Sequence, residues 1–180
     1  MLSLRLRHIV AGAMLAGAAL ATTVLSTPVT RGGTSLAVRC DPADCPGGPT
    51  NSFTADTLVL MADGSTRRIA DVRPGDQITT NGRTAPQTVV AVVVGTGDKD
   101  LVEIASGAGS VTATANHRFW VADRGGWRTA AELRVGDRLG DVRVTGLRRT
   151  TRLAAVYNLD VTGPQTFTVE VGDRPVLVHE

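Results

Sequence analysis

The chain has 180 residues, of which 42% are hydrophobic, 20% charged and only 3% aromatic, room for one ordinary domain and a tail but not for two. Formal net charge is +2, from 19 basic and 17 acidic residues, and both surplus positives, Arg5 and Arg7, lie in the first 30 residues, which hold no acid. The remaining body is neutral and poor in aromatics, so it offers neither a basic stripe nor a stacking platform, and nucleic-acid binding is disfavoured.

In chain order, the first element is an address. Arg5 and Arg7 precede an uncharged run over residues 9–30, with its apolar centre at 9–18 and a small-x-small triplet, Ala19, Leu20 and Ala21, behind it. A basic start, a short apolar stretch and such a triplet predict a secretory signal peptide over 1–30. The rival reading is a retained membrane anchor, since 22 uncharged residues just suffice to span a bilayer. The abundant Ala, Gly and Thr partition weakly into lipid and favour cleavage. Either way the protein is expected to be secreted or anchored at the cell envelope, touching the membrane only through this segment if it is uncleaved.

Residues 31–51 read as a Pro/Gly-rich linker. It holds both cysteines in RCDPADCPGG at 39–48. In an oxidising compartment Cys40 and Cys45 most simply close a small disulfide loop. A metal site would need further ligands that this segment lacks, so no metal and no other cofactor is expected.

From residue 52 the chain breaks into short apolar, β-branched runs separated by turn residues: 57–61, 88–94, 101–104, 111–114, 118–121, 142–144, 156–161, 166–169 and 176–178. Strands of this length and spacing predict an all-β domain over 52–180. A helical turn at 129–133 is the most that the periodicity allows. The domain also contains an echo: IADVRPGDQI at 69–78 matches AAELRVGDRL at 130–139, each copy following a run that ends in Ala-Asp. Two copies predict two similar β units about a pseudo-twofold axis. Each Gly-Asp pair (Gly75 with Asp76, Gly136 with Asp137) reads as a turn in which Gly supplies a positive φ and Asp a local side-chain bond.

Three places depart from plain β architecture. Ser52 stands between the linker and the first strand, Thr114 and His117 form a T-x-x-H pattern at a strand end, and His179 closes a hydrophobic strand. Singly, each is an ordinary turn or hydrogen-bonding residue. Together, SFTADTLVLMADG at 52–64 resembles the opening block of Hint (hedgehog/intein) domains, and TANH at 114–117 resembles the family's T-x-x-H block. VYNL at 156–159, QTF at 165–167 and VLVH at 176–179 resemble its closing blocks, in wording nearest the pretoxin-Hint subtype of secreted bacterial polymorphic toxins.

The resemblance implies a horseshoe-like β disc with pseudo-twofold symmetric halves, here preceded by an N-terminal hydrophobic helix and a flexible linker. It also implies an intramolecular reaction, in which Ser52 attacks the Asn51 carbonyl carbon and converts the amide into an ester by an N-to-O acyl shift. In that carry-over Thr114 holds the scissile peptide, and His117, with a pKa near neutrality, protonates the leaving Ser52 nitrogen. His179 would assist cyclisation of a terminal Asn. Three positions depart from the family pattern: Ser52 replaces a more usual Cys, Gln165 a His and Glu180 the Asn. With no amide on Glu180 and no residue after it, splicing is excluded for the chain as written, leaving single-turnover self-cleavage with no activity in trans. The alternative is a catalytically degenerate β scaffold that binds a protein of a toxin system. No oligomer interface is legible, and a monomer is expected.

Overall fold

The computed structural model describes residues 51–80 and 85–180, together with the backbone of a two-residue strand at Val38–Arg39. The expected export segment, most of the linker and the Cys40 and Cys45 pair lie outside the described residues. The strands are β1 (Val38–Arg39), β2 (Phe53–Thr54), β3 (Leu58–Leu60), β4 (Thr66–Arg68), β5 (Gln77–Ile78), β6 (Gln87–Gly95), β7 (Asp98–Ser106) and β8 (Gly109–Thr114). They continue as β9 (Arg118–Val121), β10 (Gly126–Thr129), β11 (Arg138–Leu139), β12 (Val142–Leu153), β13 (Val156–Val161), β14 (Thr166–Val171) and β15 (Arg174–His179). Among the described residues the helical elements are three short 3-10 turns, at Ile69–Asp71, Ala122–Arg124 and Ala130–Glu132. The expected all-β class is the observed one.

One sheet runs in the order β1-β6-β13-β2-β8-β7-β12-β11, with β5 also on β6, and the other runs β10-β9-β15-β14-β3-β4. The frame of the first sheet is a pair of long bent ribbons. β6 runs on into β7 and β12 into β13, and the two ribbons lie antiparallel, β6 on β13 and β7 on β12. Register carries through the corner, from Gly95 opposite Val156 to Asp98 opposite Leu153. Each arm then slips once, between Asp160 and Val161 on one side and between Val144 and Gly146 on the other. Such bulges add local twist and curl the sheet.

The expected pseudo-twofold is visible bond by bond. In the first half the Ile69 amide donates to the Thr57 carbonyl at 2.7 Å, and in the second the Ala130 amide donates to the His117 carbonyl at 2.7 Å. Gly75 and Gly136 adopt φ of +93° and +99°, and their amides reach the Val89 and Val144 carbonyls, each at 2.8 Å. Asp76 accepts from the Arg73 amide at 2.7 Å and Asp137 from the Arg134 amide at 2.8 Å. The turn chemistry expected of both Gly-Asp pairs is therefore the chemistry observed.

The core is aliphatic with three buried phenylalanines at its centre. Phe53 meets Phe119 edge-on at 6.0 Å and Phe167 at 6.3 Å. Packing them in this offset geometry suits their quadrupoles and excludes water from the strand ends beside them. Strand β12 is much longer than the expected 142–144. Its outer part carries Arg148, Arg149 and Arg152 and is mostly exposed, so no apolar alternation marks it, while β7 supplies its hydrogen bonds throughout.

Candidate functional site

The sequence-predicted residues converge where β2, β8, β9 and β15 meet. Ser52 lies just before β2, whose Phe53 pairs with Ala113 of β8. Thr114 ends β8, and His117 follows in the tight turn leading to β9, its amide donating to the Thr114 carbonyl at 3.0 Å. His179 ends β15, paired with Arg118 on β9. Ser52 and His117 are completely buried.

Thr114 grips residue 52 from both ends. Its Oγ1 accepts from the Ser52 amide at 2.9 Å, while its own amide and hydroxyl donate to the Ser52 carbonyl at 2.8 and 3.3 Å. The amide so held is the nitrogen of the Asn51–Ser52 peptide. A Thr is suited to this task because its hydroxyl both accepts and donates and its χ1 is stiff.

His117 packs its ring against Phe53 at 4.1 Å and Phe119 at 5.5 Å. This burial pushes its pKa down from 6.5 to about 3, opposed by the Asn51 backbone beside it and aided by the nearby charge of His179. Neither ring nitrogen makes a hydrogen bond. The Asn51 carbonyl is thus close enough to favour the imidazolium electrostatically without forming a bond, and desolvation wins. The expectation of a near-neutral pKa is corrected: the imidazole is a neutral, dry group facing the peptide that precedes Ser52. The resting ring is neutral, and an imidazolium among the phenylalanines is costly and would exist only transiently.

His179 sits one shell out. Its Nδ1 lies 2.8 Å from the Glu180 carbonyl and its ring meets Trp127 edge-on at 5.4 Å. Glu180 is tied down separately. Its carboxylate accepts from the Val161 amide at 2.8 Å and from the Gln165 side chain, and its own amide donates to the Gln165 carbonyl at 3.0 Å. Gln165 adopts φ of +56°, a left-handed conformation that no other non-glycine among the described residues adopts. The departing positions 165 and 180 therefore form a bonded pair of their own.

Two features escaped the sequence reading. One is Phe53, which neighbours the nucleophile in sequence and desolvates the histidine in space. The other is the ancestry of the T-x-x-H turn. The pair Thr114 and His117 is the symmetry mate of Thr54 and Thr57, whose turn has the same bond, from the Thr57 amide to the Thr54 carbonyl at 3.1 Å. TADT at 54–57 against TANH at 114–117 is the signal that could have revealed it. One half of the repeat keeps a hydroxyl where the other carries an imidazole.

No protein-family model matches the chain, and no curated protein matches it. Solved structures do. A bacterial intein-like domain from Clostridium thermocellum is 32% identical, with a TM-score of 0.60 over 72% of this chain and 99% of that one. A DnaB intein from Synechocystis is 26% identical, with a TM-score of 0.54 over 71% of this chain and 96% of that one. This chain thus spans nearly the whole of that intein-like domain, in a curled two-ribbon sheet with its Thr and His beside the leading peptide: the chain belongs to the Hint (hedgehog/intein) family.

Proposed function

We propose that this chain is an autoprocessing module that cuts its own backbone between Asn51 and Ser52. What carries the reading is the clasp at that one peptide, with Thr114 bonded to its nitrogen and a dry, neutral His117 beside its carbonyl. The likeness to an intein-like domain and to an intein supports the same reaction class.

The reaction is an N-to-O acyl shift. Ser52 Oγ forms a bond to the Asn51 carbonyl carbon, its proton passing to His117. The tetrahedral carbon then expels the Ser52 nitrogen, and His117 returns the proton to that nitrogen as the C–N bond breaks. The products are an Asn51 ester on Oγ and a free Ser52 amine, with no net gain or loss of protons. Water hydrolyses the ester and separates residues 1–51 from 52–180. Three physical aids act together. Thr114 fixes the nitrogen, His117 relays the proton, and the phenylalanine wall excludes competing water from the amide step. A serine hydroxyl is a weaker nucleophile than a thiolate, so the reaction leans more heavily on the relay.

Export fits this role, since Arg5, Arg7 and the uncharged run behind them would carry the domain out of the cytoplasm, and the wording of the blocks fits a pretoxin setting. The rival scaffold reading is favoured by the Gln165 and Glu180 pair, which engages the C-terminal groups in structure rather than chemistry. The purified full chain, followed by mass spectrometry, separates the two. Conversion to a fragment that begins at Ser52, trapped faster by hydroxylamine and abolished in Ser52→Ala, is expected. An intact chain throughout, with hydroxylamine present, overturns self-cleavage and leaves the scaffold.

A further inference from the structure

Away from the scissile peptide, the second half of the repeat opens a surface cleft of about 400 Å³ between β10, the 3-10 turn at Ala130–Glu132 and β12. Four arginines line it: Arg124, Arg128, Arg134 and Arg149. Arg124, Arg128 and Arg134 come from one short stretch of chain and Arg149 from β12, and non-basic residues separate the first three. Only one is balanced directly. Arg124 pairs with Asp137 at 3.2 Å, whereas Arg128, Arg134 and Arg149 make no ion pair among the described residues. The acid in the lining, Glu132, is already engaged. Its carboxylate accepts from the Thr129 amide and hydroxyl, each at 2.9 Å, and these bonds, then Arg128 and Arg124, keep it ionised.

The guanidinium groups are also braced by bonds that leave donors to spare. Arg149 Nη2 donates to the Ala131 carbonyl at 2.8 Å, Arg128 Nη1 to the Trp127 carbonyl at 2.6 Å and Arg124 Nη1 to the Glu132 carbonyl at 3.4 Å. A guanidinium offers five donors in a planar fork, so one bond to a carbonyl orients it without exhausting it. Counting Glu132 and Asp137 against the four arginines, the cleft keeps an excess of two positive charges.

We propose that this cleft is a binding site for a phosphoryl dianion. Two charges on one tetrahedral group match the excess. Its oxygens can take paired donors from more than one guanidinium, which a lone carboxylate matches less well. In the other half of the repeat the arginines are already paired, Arg67 onto Asp76 at 2.5 Å and Arg68 onto Asp71 at 2.7 Å. The cleft adjoins the turn that carries His117, whose carbonyl accepts the amide of Ala130, the neighbour of the lining residue Ala131.

The test is calorimetric titration of the full chain, at constant ionic strength, with inorganic phosphate, with glycerol phosphate as a soluble phosphomonoester and with acetate. Saturable binding of either phosphate species, with acetate at least tenfold weaker, is expected. Tighter binding of glycerol phosphate assigns the source to an esterified phosphoryl group, and tighter binding of inorganic phosphate assigns it to the free ion. Arg134→Gln, whose side chain makes no hydrogen bond or ion pair among the described residues, should weaken the interaction about tenfold. Arg148→Gln, which loses only its surface pair with Glu103, should leave it unchanged. No saturable heat, acetate binding as well as phosphate, or equal losses in the two variants overturns the proposal. Because Arg134 lies outside the clasp on Ser52, the result does not depend on whether the chain cleaves.

Discussion

At the scale of the residue, the decisive fact is that His117 is neutral. A histidine in solution titrates near pH 6.5, and an imidazolium donor at such a pKa would make cleavage decline as pH rises above that value. Here the walls of Phe53 and Phe119 remove the water that would solvate the charge, and the folded pKa drops to about 3. The resting ring is then the relay-competent form at ordinary pH. The cleavage rate of the full chain should hold level from about pH 5 to about pH 8 and fall only toward the acid end. A rate that drops as pH climbs past 6.5, measured by the yield of the Ser52 fragment, would show that an imidazolium does the work. Thr114 illustrates a second residue-scale point. Its hydroxyl is spent on holding a peptide rather than attacking one, as its bonds to both the amide and the carbonyl of Ser52 require.

At the scale of the element, the turns of the two repeat halves are interchangeable in their physics. Gly75 and Gly136 both need a left-handed φ, and an added Cβ at either would meet nothing within 4 Å. Substitution therefore acts through backbone strain alone. Gly75→Ala and Gly136→Ala should each lower unfolding free energy by about 1–2 kcal/mol, and by similar amounts, in urea titrations. A marked inequality would mean that one half of the repeat tolerates a rearranged turn. The strands show the opposite behaviour. Each long ribbon is paired with the ribbon of the other half, β6 on β13 and β7 on β12, so neither half owns a finished sheet. The symmetry is one of local turns, and the hydrogen-bonded frame is shared.

At the scale of the whole molecule, burial of His117 couples pH to stability. Between its folded pKa of about 3 and its unfolded value of 6.5, the unfolded chain takes up a proton that the folded chain refuses. Stability from this group is complete above pH 6.5 and is lost steadily as pH falls toward 3. Glu180, whose pKa is raised chiefly by burial, acts in the reverse sense over part of the same range, so a comparison of variants isolates the histidine. In a Ser52→Ala background that keeps the chain whole, His117→Gln should flatten the fall in unfolding free energy between pH 7 and pH 4. An unchanged slope in chemical denaturation would show that the imidazole is not desolvated in solution.

Much of this molecule is legible in its sequence. Runs of Val, Ile and Thr bounded by Gly and Asp dictate short strands, because β-branched side chains favour extended backbone and the turn residues end it. The repeated Gly-Asp turns follow from local chemistry, whereas Ser52, Thr114 and His117 stand out through the resemblance of their blocks to the Hint pattern. The outer half of β12 was not legible, since its hydrogen bonds come from β7 and its exposed arginines carry no periodic signal. Nor was the state of His117, for a pKa is set by what surrounds the ring, and Phe53 and Phe119 reach it from separate strands. The arginine cleft is a further case: Arg124, Arg128 and Arg134 lie close in sequence, but they share a cleft with Arg149 only when the fold sets β12 beside them. Sequence alone determines which residues can form strands, turns and bonds, because those preferences act over a few neighbouring positions. Tertiary structure alone decides which groups lose their water and which charges share a space, because dielectric surroundings and proximity exist only once distant segments have packed.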